Sequence, residues 1–92
     1  MKITKKKSTY KNGPNKGVTT TSYKCQTEDE GGYSLEVTEI IDEGVYGLSF
    51  ASTYIMDFEN IADAFIVAQE IFNNVESPRI DEMRKVAVKV FA

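Results

Sequence analysis

The chain has 92 residues, of which 41% are hydrophobic and 27% charged, and its formal net charge is −3 at pH 7, so a single domain spanning 1–92 is expected. The absence of histidine and the presence of one cysteine, Cys25, exclude an intrachain disulfide and histidine-dependent catalysis and argue against structural zinc. We therefore expect a protein that is not an enzyme and needs no metal or cofactor, and the lack of a run of about 20 apolar residues favours a soluble, cytoplasmic location without membrane contact.

Charge is divided unequally along the chain. The first 24 residues carry seven lysines, at positions 2, 5, 6, 7, 11, 16 and 24, and no acidic residue. The other 68 residues carry all fourteen acids and only four basic residues, so the two parts have formal charges of +7 and −10. The sequence therefore predicts a basic, hairpin-like part at 1–27 and an acidic α+β body at 28–92.

Two polar strands are predicted at the start of the chain, at 3–12 and 18–27. Threonines at 19–21 and Tyr23 favour strand structure. The intervening Asn-Gly-Pro-Asn-Lys-Gly stretch at 12–17 is dense in residues that favour turns. We therefore expect a hairpin whose loop is longer than two residues.

Two further strands are predicted in the middle of the chain. Apolar and polar residues alternate over 33–41 with the period of a half-buried strand. A second alternating run, 45–56, is interpreted as one strand whose small residues, among them Gly47, allow a helix to approach that face. The acidic stretches 28–30 and 42–43 are predicted to be solvated turns.

One amphipathic helix is predicted next. Asp57 fits its N-cap, because its side chain can accept a hydrogen bond from an amide at the start of the helix. Apolar residues recur at the helical period from Phe58 to Phe72, and the Asn73-Asn74 pair suits the C-terminal end.

The last segment carries two conflicting patterns. Ile80, Met83 and Ala87 would form one stripe of a helix, whereas β-branched valines alternate with other residues along 85–91. We favour one short helical turn at 78–84 followed by a strand. The predicted order is β-β-β-β-α-β, an α+β fold with a mainly antiparallel sheet and one principal helix packed on one face.

The basic start of the chain is the first candidate site. Lysines at strand spacing, interleaved with tyrosines, have the chemistry to grip a phosphate backbone while the rings stack on unpaired bases. The predicted nucleic-acid-binding residues are Lys5, Lys6, Lys7, Tyr10, Lys11, Lys16, Tyr23 and Lys24. Because lysine is a point charge that reads base edges poorly, binding is expected to be weakly sequence-specific. The alternative is that these lysines only protect an exposed edge strand from aggregation.

The polar face of the predicted helix is the second candidate site, for protein binding. Glu59, Asp63 and Glu70 fall close together on the helical wheel, and no basic residue of this helix neutralises them. Ile66 lies among them as an apolar contact. Such a face suits a basic protein partner and could imitate the charge spacing of DNA. The alternative is a solvated face on which a loop covers Ile66.

These observations lead to the hypothesis of a small, non-catalytic, stoichiometric binding protein. Its basic hairpin would engage nucleic acid, RNA or DNA, or a ribonucleoprotein, while the acidic body contacts protein. Its size and charge are typical of accessory and inhibitor proteins of phages and mobile elements. Two alternatives stand beside it. One is a protein-only inhibitor that uses the acidic helix face as a nucleic-acid mimic. The other is an interaction module that self-associates as a homodimer, through a strand edge left open beside the hairpin or through the predicted strand at 86–91.

Overall fold

A computed structural model describes residues 1–29, 31–41 and 43–91. The elements in chain order are β1 (Lys2–Thr9), β2 (Thr19–Gln26), β3 (Ser34–Ile40), β4 (Val45–Phe50), β5 (Thr53–Phe58), α1 (Ile61–Asn74) and α2 (Ile80–Phe91). The strands form one antiparallel sheet in the order of the chain, β1-β2-β3-β4-β5. The predicted fold class, α+β with a mainly antiparallel sheet and a principal helix on one face, is confirmed. Glu30 and Asp42, which belong to the predicted acidic turns, and Ala92 lie outside the described residues.

The core lies between one face of the sheet and the two helices. Side chains alternate across a strand, and the register pairs Cys25 with Leu35 and Val37 with Leu48. These four buried side chains therefore share the face that the helices cover. The helices complete the core with Ala64, Val67, Ala68, Ile71, Met83 and Ala87. Each large aliphatic side chain buried here stabilises the fold by about 1.5–3 kcal/mol.

The segment 45–56, predicted as one strand, forms two. β4 ends at Phe50 and β5 begins at Thr53, and the two-residue turn Ala51-Ser52 joins them. Both turn residues have positive φ, 48° at Ala51 and 66° at Ser52, as a type I′ turn requires. Neither alanine nor serine is a usual residue for this conformation, so the sequence carries no signal for the break.

The prediction that the small residues of β4 face a helix is also wrong. Gly47 lies on the opposite face from the buried Leu48, and a Cβ added to it would meet side-chain atoms of Asp57 and Ile40 at 3.3 and 3.6 Å. The helices instead cover the face that carries the large side chains, because burying more apolar area stabilises the fold more.

The first helix begins three residues later than predicted. Its N-cap is Asn60, whose side-chain oxygen accepts a hydrogen bond from the Ala62 amide at 2.8 Å. Asp57, the predicted cap, still belongs to β5 and pairs with Gly47. The chain remains extended through Phe58, which pairs with Tyr46, so sheet pairing prevents an earlier helix start.

The tail forms the helix α2, and the predicted strand at 85–91 is wrong. Met83 and Ala87, one helical turn apart, are fully buried against the rest of the core. The Arg84 guanidinium donates a hydrogen bond to the Tyr54 carbonyl of β5 at 2.6 Å, which fixes the helix beside this edge strand. Tertiary packing therefore overrides the strand preference of the valines. Among the described residues, no helix is both long and apolar enough to cross a bilayer.

Candidate nucleic-acid interface

The hairpin predicted from the first residues is present, and we call its residues 2–26 the basic arm. Its strands pair over their whole length, from Lys2 opposite Gln26 to Thr9 opposite Thr19. The loop is closed by backbone hydrogen bonds from the Tyr10 amide to the Val18 carbonyl at 3.0 Å and from the Gly17 amide to the Tyr10 carbonyl at 2.8 Å. Gly17 has φ of 86°, which glycine adopts without strain. Local hydrogen bonds and turn chemistry therefore specify the shape of the arm.

Most of the arm lies outside the helical layer. α1 contacts β3, β4 and β5, and α2 contacts β5 and α1. All eight residues of β1 are exposed, and β1 is the outermost strand on its side of the sheet. The base of the arm is held by Cys25, which is fully buried, and by Tyr23, whose ring lies edge-on against Phe65 of α1. Beyond this attachment, both faces of the arm meet solvent.

The lysines of the strands lie on both faces of the arm, because side chains alternate along each strand. Lys5 and Lys7 share the helix-side face with Cys25, while Lys2, Lys6 and Lys24 share the open face. Lys24 is opposite Thr4, so Lys2 and Lys6 are its diagonal neighbours, roughly 7–8 Å away. The open face therefore carries a group of three lysines. Lys11 and Lys16 lie in the loop.

The arm lysines do not pair with carboxylates of the described residues. The ion pairs there join Arg79 to Asp81 at 3.6 Å and Lys85 to Glu82 at 3.4 Å, and both are exposed pairs in or beside α2. Glu36 is the acidic residue that faces an arm lysine across the sheet, in register with Lys24. Lys2 also lines a shallow pocket with Glu28 and Asp29, so the charge of the arm that is available to an external anion is that of the lysines beyond its base.

The two predicted stacking tyrosines have different environments. Tyr10 is 42% exposed at the start of the loop. The Tyr23 ring is half-buried and packs against Phe65, with 5.5 Å between ring centroids and 79° between ring planes. Tyr23 is five residues after Val18, the hydrogen-bond partner of Tyr10, so the backbones of the two tyrosines are roughly 16 Å apart along the arm. The structure does not bring them together as one stacking surface.

Sequence reasoning missed three residues of this surface. Lys2, Thr4 and Ser22 lie on the open face next to Lys6 and Lys24. The two hydroxyls add hydrogen-bond donors to the ammonium groups, and both kinds of donor are common contacts to phosphate oxygens. The alternation of Lys2, Thr4 and Lys6 along β1 was the sequence signal for this surface. It could not be used, because the sequence does not show which face of the hairpin is free of the helices.

The predicted acidic face of the helix is only partly assembled. Glu59 precedes the N-cap, so it lies outside α1. Asp63 and Glu70 are both in α1, separated by about 10.5 Å along the helix axis, and Ile66 between them is 55% exposed.

A basic side chain from α2 lies near the end of this acidic face. Glu70 and Lys89 line the same shallow groove of about 260 Å³ between the two helices, together with Asn74, Val86 and Val90. The Asn74 side chain also donates a hydrogen bond to the Glu70 carboxylate at 3.3 Å. The negative charge of the acidic face is therefore weaker than the sequence of α1 alone indicates.

No protein-family model, curated protein or solved structure matches the chain. Function is therefore inferred from the positions, exposure and charges of the residues themselves. Among the described residues, the basic arm and the remaining acidic face of α1 are charged surfaces with the exposure that binding requires.

Proposed function

We propose that this protein is a non-catalytic binding protein that holds nucleic acid through the basic arm. The observation that carries the proposal is a hairpin with seven lysines and no acidic residue over 1–24, whose outer strand is exposed at all eight positions. Lysines that neutralise phosphates release condensed counterions, and this release drives binding to nucleic acid. A protein of this kind acts stoichiometrically and needs no catalytic group.

The acidic body supports the same assignment. Residues 25–92 carry fourteen acids and four basic residues, so the body repels a phosphate backbone while the arm attracts it. This separation directs a polyanion to one part of the molecule. It also leaves the body available to a basic protein, as expected for contact with a ribonucleoprotein.

Protection of the sheet edge explains fewer of the lysines than nucleic-acid binding does. Lysine on an edge strand discourages pairing with another chain, and Lys5, Lys6 and Lys7 on β1 fit that role. Lys11 and Lys16 lie in the loop, and Lys24 lies on the inner strand β2. Charge at those three positions does not shield the edge. At Lys24 it faces Glu36 of β3, whereas at the two loop positions it extends a phosphate-binding surface.

The lysine chemistry sets the character of the complex. Ammonium groups position a phosphate backbone but read base edges poorly, so we expect weak sequence preference. If the five lysines on the strands each contact a phosphate of a duplex, the slope of log K against log salt is about −4.5. Affinity then falls about 500-fold between 50 and 200 mM salt.

Fluorescence anisotropy with labelled oligonucleotides at several salt concentrations tests the proposal. The arm variant replaces Lys5, Lys6 and Lys7 with glutamine. The matched control replaces Arg79, Lys85 and Lys89 with glutamine, which removes the same number of charges from the body.

We expect the arm variant to bind at least tenfold more weakly than the wild type near 100 mM salt. On a duplex, the magnitude of its slope of log K against log salt should be smaller by about 2.7. The control should keep most of the wild-type affinity. Absence of wild-type binding at about 50 mM salt, or equal losses in the two variants, would contradict the proposal.

A further inference from the structure

The placement of charge on both faces of the arm restricts the form of nucleic acid that it can hold. Lys5 and Lys7 extend from one face, and Lys2, Lys6 and Lys24 extend from the other. A single strand has one phosphate backbone, so it can follow only one of these faces at a time. A groove of a duplex has a phosphate backbone on each side, so a ribbon within it can use both faces together.

The aromatic content of the arm points in the same direction. Proteins that bind single strands without sequence preference stack successive bases on several aromatic side chains. Tyr23 packs against Phe65 at the base of the arm, which leaves Tyr10 as the exposed ring of the arm. One exposed ring does not provide a stacking surface for successive bases.

The dimensions of the arm fit the major groove of B-form DNA. Two neighbouring strands lie about 4.8 Å apart, and the major groove, about 12 Å wide, admits a two-stranded ribbon. β1 and β2 pair over eight residues each, a length of about 27 Å, and over 22–26 β2 also pairs with β3. The arm is thus a free two-stranded ribbon only toward its loop, over 7–9 and 19–21, and nearer its base the exposed edge strand β1 is the part that can enter the groove. The helical layer lies over β3, β4 and β5 and reaches the arm at Tyr23, so it leaves β1 uncovered.

We propose that the ligand of the basic arm is double-stranded DNA, held with the arm in the major groove and with lysines of its two faces on the two phosphate backbones. This inference rests on the proposed function and narrows it to one form of nucleic acid. The A-form duplex of RNA has a deep, narrow major groove, so it does not accommodate the ribbon in the same way.

Anisotropy measurements with four ligands of the same mixed sequence and length test the inference: duplex DNA, each of its separate strands, and duplex RNA. Two variants remove the same charge from opposite faces, Lys5→Gln with Lys7→Gln and Lys2→Gln with Lys6→Gln. All four positions are exposed, and circular dichroism with a thermal melt verifies that each variant is folded.

We expect wild-type protein to bind duplex DNA at least tenfold more tightly than either single strand or duplex RNA near 100 mM salt. Each face variant should weaken duplex binding to a similar degree and lower the steepness of its salt dependence by about 1.8.

Three results would overturn the inference, and they differ in what they say about the proposed function. Equal or tighter binding of a single strand or of duplex RNA refutes the groove assignment and leaves nucleic-acid binding by the arm intact. Loss of affinity in only one face variant does the same. Failure of all four ligands to bind at about 50 mM salt refutes the proposed function itself.

Discussion

Replacing Ser52 with glycine should stabilise the protein. Ser52 occupies the β4–β5 turn with φ of 66°, in the left-handed region that L-residues other than glycine adopt at a cost of about 1–2 kcal/mol. Its side chain is exposed, and in the described part of the chain its hydroxyl makes no hydrogen bond. The substitution therefore removes strain without removing a contact.

The expected gain in the free energy of unfolding is the strain energy that is relieved, minus the entropy cost of ordering a glycine, which has greater freedom in the unfolded chain. That freedom opposes folding by about 0.5–1 kcal/mol. With mid-range values of both terms, the net stabilisation of Ser52→Gly is about 0.75 kcal/mol, which for a domain of this size corresponds to a rise in Tm of about 3–6 °C.

Gly44 provides the matched control, because it has nearly the same backbone conformation, with φ of 65°, and an added Cβ there meets nothing within 4 Å. Gly44→Ala should lower the free energy of unfolding by about as much as Ser52→Gly raises it. Urea denaturation followed by circular dichroism measures both. A lower midpoint for Ser52→Gly, or no loss of stability in Gly44→Ala, would refute the assignment of strain to positive φ.

Two further predictions concern the core. Ile71 is fully buried and Ile66 is 55% exposed on the same helix. Ile71→Ala should therefore lower the free energy of unfolding by about 2–5 kcal/mol, and Ile66→Ala by less than about 0.5 kcal/mol. Comparable losses for the two variants in urea denaturation would show that the core has been wrongly placed. Burial raises the pKa of the Cys25 thiol from 9.0 to about 11, so the folded state favours the neutral thiol. The contribution of the neutral thiol to the free energy of unfolding is fully present below pH 9 and is lost as the pH rises toward 11. Denaturation at pH 8, 10 and 11 should show a smaller decline for Cys25→Ala than for the wild type, and parallel declines would contradict a buried thiol.

The arm could be predicted because its determinants are close in sequence. Turn-forming residues at 12–17 and the strand-favouring threonines at 19–21 act within the hairpin, so their effects do not depend on the rest of the fold. The body of α1 was also predictable, since a 3.6-residue period of apolar side chains persists over several turns.

The errors arose where sheet pairing or packing decided between local alternatives. Asp57 is as good an N-cap by residue type as Asn60, but β5 extends through Phe58, so the later cap is used. In α2, the burial of Met83 and Ala87 outweighs the strand preference of the valines. The strained turn at Ala51-Ser52 forms because β4 and β5 pair on either side of it.

The candidate site divides in the same way. The seven lysines and their alternation are visible in the sequence, and they suffice to predict a positive hairpin. Tyr23 contacts Phe65, and Lys89 lies beside Glu70, although the residues of each pair are distant in the chain. Glu59 lies outside α1 because the preceding strand pairs with β4. A local sequence pattern cannot predict any of these three features.

The sequence by itself determined the separation of charge, the hairpin and the main helix, because net charge is additive and turn and helix preferences act over a few residues. Only the tertiary structure decided which surfaces are free. The helices lie over β3, β4 and β5, where the large apolar side chains are, and beyond its base at Tyr23 and Cys25 they leave both faces of the basic arm in water. Burial depends on which distant elements meet, and that is a property of the whole chain.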